Sequence, residues 1–222
     1  MIKYAIFDLD GTLFDTLDTI KHYVNITIEG YGARPISREE CRQFVGSGAK
    51  NLIKSVMESR NMDESLFDSI YSDYNEAYDK DPNYLTRPYD GIDRLISGLL
   101  ENGIGAAILS NKPHAATVGT VGRIMPNTFS AVFGGREGVP LKPDSRALDS
   151  VLDAISADIS EVAYIGDSDV DVYTMKNSSP ALGIAVSWGF RTRDELISAG
   201  AEVILDTPDA VLDYILKAQK EA

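Results

Sequence analysis

Short apolar runs and amphipathic stretches alternate along most of the chain. The runs fall at residues 4–7, 105–109, 131–133, 162–165, 182–186 and 202–205. Their length and their mostly aliphatic character predict buried strands. The stretches between them carry helical spacing. Residues 91–103 place Ile92, Leu95, Ile96, Leu99 and Leu100 on one face, with Gly103 as the stop. Residues 144–155 repeat the pattern with Leu148, Val151, Leu152 and Ile155. Residues 207–219 begin with Thr207 in the N-cap position and Pro208 at the first helical position. Strands alternating with helices predict right-handed crossovers and a mostly parallel sheet.

The rhythm breaks over residues 16–88, where no strand pattern is visible. Four helices are expected instead, at 18–28, 37–45, 49–59 and 63–78, and Ser37 with Glu40 forms a capping-box pattern. The expected architecture is therefore α/β: a Rossmann-like parallel-sheet core of residues 1–15 and 88–222, with a small helical cap domain, residues 16–87, inserted after the first strand. The chain crosses between the two at 13–16 and 87–89, which are the expected hinges.

Composition narrows the function. At 222 residues with 44% apolar content, the chain has material for a real core. A net charge of −13 counts against nucleic acid and against anionic membrane surfaces as partners. It leaves room for a small anion in a pocket with its own cation. The single cysteine, Cys41, excludes a disulfide within the chain and reads as a structural thiol on a helix. Only a few apolar residues precede Asp8 and no run approaches a membrane span, so a cytoplasmic location is expected.

In an open parallel sheet, ligands bind beyond the carboxyl ends of the strands. Those ends read FDLDGT (7–12), ILSNKP (108–113) and YIGDSDVD (164–171), with GGREGVPLKPD (134–144) after the third strand. Asp8 and Asp10 pose the sharpest question, because two close carboxylates at the end of a buried strand repel and lose hydration. An Asp-Gly turn accounts for Asp10 and Gly11 but not for Asp8. A bound cation and a chemical task for each carboxylate account for both. Asp8, Asp10, Ser110, Asn111, Lys142, Asp167 and Asp171 collect on one edge. Hard cations take such oxygen ligands, a hydroxyl at a helix start suits a phosphate oxygen, and lysine adds a point charge.

The segments DLDGTL (8–13), LSNKP (109–113), KPD (142–144) and GDSDVD (166–171), in this order, resemble the four motifs of the haloacid dehalogenase superfamily of phosphohydrolases. FGGREGVPLKPD and the helical insertion resemble its phosphoglycolate phosphatase-like branch, where a proline commonly follows KPD; here Ser145 stands there. The resemblance implies Asp8 as the nucleophile that forms an aspartyl-phosphate, and Asp10 as the acid, then base. It implies Mg2+ held by Asp8, the backbone carbonyl of Asp10 and Asp167, with Asp171 supporting either the metal site or Lys142. Thr12, Ser110, Asn111 and Lys142 would grip the phosphoryl group. The implied activity is a Mg2+-dependent phosphatase acting on a small phosphorylated metabolite, phosphoglycolate first among them, as a monomer or homodimer. A sugar-phosphate mutase of the β-phosphoglucomutase kind, a pyrophosphatase or a nucleotidase of the same superfamily is the alternative. A phospho-accepting receiver domain lacks both the cap and the second Asp.

In the cap, the loop Gly46-Ser47-Gly48 could bring backbone donors to a substrate, with Lys50 for a second anionic group; a plain helix-to-helix turn explains it equally well. Tyr71, Tyr74 and Tyr78 at helical spacing read as cap core or cap edge. Trp188 reads as packing, His22 and His114 as non-catalytic, and Arg136 with Glu137 as either site neighbours or a solvated pair.

Overall fold

The computed structural model describes residues 1–221. The chain starts with strand β1 (Tyr4–Phe7) and a short strand β2 (Phe14–Asp15). Four helices follow: α1 (Leu17–Gly30), α2 (Arg38–Phe44), α3 (Ala49–Ser59) and α4 (Phe67–Lys80). Strand β3 (Arg87–Pro88) then pairs antiparallel with β2, so the chain leaves and re-enters the sheet region through one two-stranded ribbon. The alternating part continues with α5 (Ile92–Glu101), β4 (Gly105–Pro113), α6 (His114–Ile124), β5 (Ala131–Gly135) and α7 (Asp149–Ile155). It ends with β6 (Val162–Gly166), α8 (Asp169–Ser178), β7 (Leu182–Val186), α9 (Arg193–Ala199), β8 (Ile204–Leu205) and α10 (Pro208–Glu221).

The sheet is six-stranded and parallel, in the order β5-β4-β1-β6-β7-β8. Side chains alternate across it. Phe7 joins Leu95, Leu99, Val211 and Ile215 of α5 and α10 on one face, and Ile6 joins Val151 and Ile155 of α7 on the other. Both faces are covered, which is why the strands are nearly continuous apolar runs. β1 is central, with successive strands added first on one side and then on the other. Its carboxyl end is thus the switch point where an open α/β sheet binds ligands.

Helices α1 to α4 bury a cluster of their own, including Leu17, Val24, Ile28, Ile53, Val56 and Ile70. Among the described residues, Ala116 and Phe190 are the buried members of that cluster from the sheet region. The Ser37–Glu40 capping box is formed, and Thr207 accepts from the Ala210 amide. Cys41 is buried, its Sγ 3.9 Å from the Leu17 carbonyl, and burial pushes its thiol up to about 12.

Several expectations shift. Residues 87–88 form a strand inside the stretch read as strand-free, because a two-residue ribbon is too short to show a period. The run at 202–205 pairs only at Ile204 and Leu205. β4 runs to Pro113 through a register irregularity after Leu109, rather than stopping at 109. Residues 145–147 form a 3-10 turn, capped by the Asp144 carboxylate on the Arg146 amide, before α7 begins. Leu100 is exposed, since it stands about 100° round the helix from Leu99.

Candidate active site

Asp8 follows β1 directly. Its amide still continues the ladder, donating to the Ile165 carbonyl at 2.9 Å, while Oδ1 accepts from the Leu9 amide at 2.7 Å and from Lys142 Nζ at 2.9 Å. The chain then folds back tightly: the Leu13 and Phe14 amides both donate to the Leu9 carbonyl. Gly11 takes φ +90°, and a β-carbon there would collide with the Asp167 carboxylate. Glycine is needed because the turn lies against that carboxylate.

Asp167, at the end of β6, is fully buried. Its Oδ1 accepts from Thr12 Oγ1 at 2.8 Å and its Oδ2 from the Phe190 amide at 2.7 Å. Asp171 sits in the first turn of α8, in a capping box with Ser168. Its Oδ1 accepts from Lys142 Nζ at 2.8 Å and Tyr164 Oη at 2.9 Å, and its Oδ2 from the Ser168 amide and hydroxyl at 3.1 and 2.6 Å. Asn111 holds the Lys142 backbone from both sides: Oδ1 accepts from the Lys142 amide at 2.9 Å, and Nδ2 donates to its carbonyl at 3.0 Å. Nδ2 also reaches the Gly46 carbonyl at 3.1 Å.

The charges follow from this packing. Burial pushes Asp8 up to about 7; Lys142 opposes the rise and Asp171 and Asp10 add to it. Burial, with Asp171 and Asp8 nearby, also drives Asp167 well above the carboxylate range. Burial alone would lower Lys142, but the carboxylates of Asp171 and Asp8 hold it well above the ordinary lysine value. Asp171 goes the other way: burial raises it, and Lys142, Ser168 and Tyr164 together bring it below. Oxygens of Asp8, Asp167 and Asp171 lie within 4.8 Å of one another. Two buried carboxylates whose ionisation is disfavoured, beside one already neutralised by lysine, make a donor set that a hard divalent cation would relieve.

Above this edge lies a cavity of about 350 Å³ between the sheet and the helical insertion. Asp8, Asp10, Ser110 and Asn111 line it from below, and Gly46 and Gly48 from above. Lys142, Asp167 and Asp171 lie beneath, in the buried network. Thr12 is wholly buried and spends its hydroxyl on Asp167. Ser110 lies four residues before α6 begins, not at a helix start, and its hydroxyl accepts from the Lys112 amide at 3.3 Å. Ser47 is exposed, as is Lys50, whose ammonium sits 5.8 Å from the centroid of the Tyr71 ring. Neither is among the residues lining the cavity. Arg136 is exposed over the Phe133 ring. Trp188 packs against the core and donates to the Thr12 carbonyl at 3.0 Å. His22 stacks near Tyr84, and His114 accepts from the Gly134 amide. Tyr74 and Tyr78 are buried in the helical cluster, and they and Tyr71 line the cavity.

The residue that sequence reasoning passed over is Lys112. Its Nζ lies 3.1 and 3.3 Å from the two oxygens of Asp10 and 2.5 Å from Tyr78 Oη. The signal was present in LSNKP: a cation two positions after Ser110, the spacing that returns an extended chain to the same side. Also missed were Phe190 and Arg191, which touch Asp167 through the Phe190 amide and the helical insertion through Arg191.

Residues 5–182 match the model of the haloacid dehalogenase-like hydrolases. The chain belongs to that family. Among similar haloacid dehalogenase-like proteins is a phosphoglycolate phosphatase of Rhodobacter capsulatus, 31% identical over 181 residues, covering 80% of this chain and 81% of that protein. The N-acetylmuramic acid 6-phosphate phosphatase of Pseudomonas aeruginosa is 26% identical over 219 residues, covering 98% and 96%. A crystal structure of a candidate phosphoglycolate phosphatase from Lactobacillus delbrueckii subsp. bulgaricus matches with a TM-score of 0.89 at 28% identity, covering 96% of this chain and 98% of that one. This kinship makes the chain a phosphoric monoester hydrolase with a phosphoglycolate phosphatase-like sequence. Among the described residues, no helix is long and apolar enough to cross a membrane.

Proposed function

We propose that the protein is a Mg2+-dependent phosphatase that transfers a phosphoryl group from a small metabolite to Asp8 and then to water. One observation carries this reading: Asp8 and Asp10 line the same cavity, yet each is held by a different lysine, Lys142 and Lys112 respectively. Two carboxylates fixed separately can do two different tasks. Asp8 attacks phosphorus, and the bond to the leaving oxygen breaks as Asp10 gives that oxygen its proton. Asp10, now a carboxylate, takes a proton from the water that attacks the aspartyl-phosphate, and inorganic phosphate leaves with Asp8 restored. Lys142 steadies Asp8 and offsets charge on the phosphoryl oxygens, with Ser110 beside them. Thr12 and Asn111 act by holding Asp167 and Lys142 in place.

Asp8 and Asp167 are the residues that would hold Mg2+, with the carbonyl of Asp10. Asp171 stands beside them with both oxygens engaged, and serves as the anchor of Lys142. When bound, the ion supplies charge neutralisation to the phosphoryl group.

Phosphoglycolate, named for the Rhodobacter relative, is the first substrate to test. The cavity favours a second reading, a sugar phosphate. Beside Gly46, Gly48 and Asp79, its upper wall includes Leu52, Tyr71, Tyr74, Asn75 and Tyr78, and Ser47 and Lys50 stand outside it. Apolar and aromatic walls with a few polar groups suit a larger neutral group better than a bare carboxylate. Phosphate release should be compared over phosphoglycolate, hexose 6-phosphates, N-acetylmuramic acid 6-phosphate, nucleoside monophosphates and pyrophosphate, with and without Mg2+. Release from one of the monoesters, lost on chelation, supports the reading. Isomer formation without phosphate release would replace it with a mutase.

A further inference from the structure

Lys112 is the cation in the cavity lining, and its side chain is only 5% exposed. An ammonium has three donors and no acceptor. Here three oxygens stand within reach of it: Oδ1 and Oδ2 of Asp10 and the hydroxyl of Tyr78. Its partners in the structure are thus Asp10 and Tyr78, and Asp10 is the one of the two that belongs to the carboxylate pair of the site.

The third partner comes from the helical insertion. Tyr78 is on α4, 5% exposed, and its ring packs against Tyr23 and Tyr74 with centroids 5.2 and 5.7 Å away. The Lys112 ammonium also lies 4.7 Å from the Tyr78 ring centroid. The tyrosine is therefore fixed by cap packing, and it fixes the lysine by a hydrogen bond and by the face of its ring. A charge-assisted contact shielded from water is strong and geometrically strict.

We propose that Lys112 is the positioning residue of Asp10, and that Tyr78 fixes Lys112 only while the cap is seated on the sheet. The proton-transfer arm of the site is then completed by a residue from the cap, whereas the nucleophile arm, Asp8 with Lys142 and Asp171, is built from the core alone. This rests on the phosphatase reading.

Leaving-group dependence tests it. p-Nitrophenolate departs without needing a proton, while an alkoxide needs one. The probes are p-nitrophenyl phosphate and an alkyl phosphate, phosphoglycolate or glucose 6-phosphate, whichever the wild type turns over. Lys112→Met should lower kcat/KM for the alkyl ester by roughly tenfold or more, a fraction of the usual acid–base contribution, and change the aryl ester by less than about threefold. Tyr78→Phe, which keeps the ring and so the packing, should show the same selectivity at smaller size. In an Asp10→Asn background the Lys112 substitution should cost nothing further, because the group it positions is gone. Equal losses on both esters, no loss on either, or an additive loss in the double variant would each overturn the positioning role. Turnover of both esters by the wild type and of neither by Asp8→Asn tests the phosphatase reading separately.

Discussion

The carboxylate edge of the sheet and the cap wall that faces it are built on different principles. At the edge, almost every polar atom is fixed by another: Asp171 accepts from four donors, Asn111 clamps the Lys142 backbone, and Asp167 is held by Thr12 and Phe190. The wall opposite is mostly rings and aliphatic groups, with Asn75 and Asp79 among them, and it meets the core through a few specific bonds. Arg42 donates to the Phe190 carbonyl at 2.6 Å and to Glu195 at 2.8 Å, and Arg191 returns donors to the Arg42 and Val45 carbonyls at 2.7 and 2.9 Å. A preorganised edge can stabilise developing charge without rearranging. A wall held by few bonds can open to admit substrate and close to exclude water. On the proposed function, the difference puts the chemistry in the core and the choice of substrate in the cap.

Substitutions should separate the two regions. Asp8→Asn should reduce phosphate release to background, with the fold intact by circular dichroism. Its melting temperature should not fall, because the amide removes a carboxylate that burial already disfavours and leaves Lys142 with Asp171. Asp10→Asn should cost about 10²–10⁴-fold in kcat. Near-normal rates in either variant would erase the contrast, since the core edge would no longer carry the reaction.

Proton linkage gives a subtler check on the same edge. Asp8 is pushed up to about 7, so the metal-free folded state binds a proton that the unfolded chain releases near the ordinary carboxylate value. That contribution to stability is present at low pH and is lost as pH rises through about 7. At the proposed site Mg2+ would replace the proton, so it should raise the melting temperature more at pH 7.5 than at pH 5 in differential scanning fluorimetry. An equal shift at both pH values would count against Asp8 as a ligand.

Effects in the cap should be smaller and should depend on substrate. Arg42→Ala removes the bonds to Phe190 and Glu195 and should raise KM by roughly tenfold or less, the size of one charge-assisted bond. Lys50→Ala should change kcat/KM by less than about twofold on any substrate, as an exposed residue outside the cavity should. A selective loss on phosphoglycolate in Lys50→Ala would restore the carboxylate-reading loop expected from Gly46, Ser47 and Gly48, and would blur the contrast.

The same contrast explains what could be read in advance. Strand ends announce themselves: four apolar residues followed by Asp8, or by Gly166 and Asp167, mark both the strand and the edge where a ligand binds. That marks Asp8, Asp10 and Asp167 as neighbours at one edge, while Ser110 and Asn111, which lie inside β4, and Lys142 and Asp171, which lie beyond their strands, could be placed near it only from the order of the segments. Their partners were not legible. Nothing in the spacing says that Thr12 turns inward to Asp167, or that Asn111 spends its amide on Lys142 and Gly46, because those bonds cross between distant segments. The cap was legible as helices from their apolar spacing, but the tyrosine stripe at 71, 74 and 78 looks like core whether or not one ring edge faces a cavity. Lys112 went unassigned because its role needs Tyr78, a residue 34 positions earlier on another element.

The most direct test is to trap the phosphoryl group. The Asp10→Asn variant, lacking the base for the second step, is mixed with p-nitrophenyl phosphate and Mg2+, quenched in acid and mapped by peptide mass spectrometry. One phosphoryl group on Asp8, absent when Asp8 is replaced by Asn and absent after chelation, is the predicted result. A phosphoryl group on another residue, or none on Asp8 while p-nitrophenolate is still released in a burst equal to the enzyme concentration, would contradict Asp8 as the nucleophile.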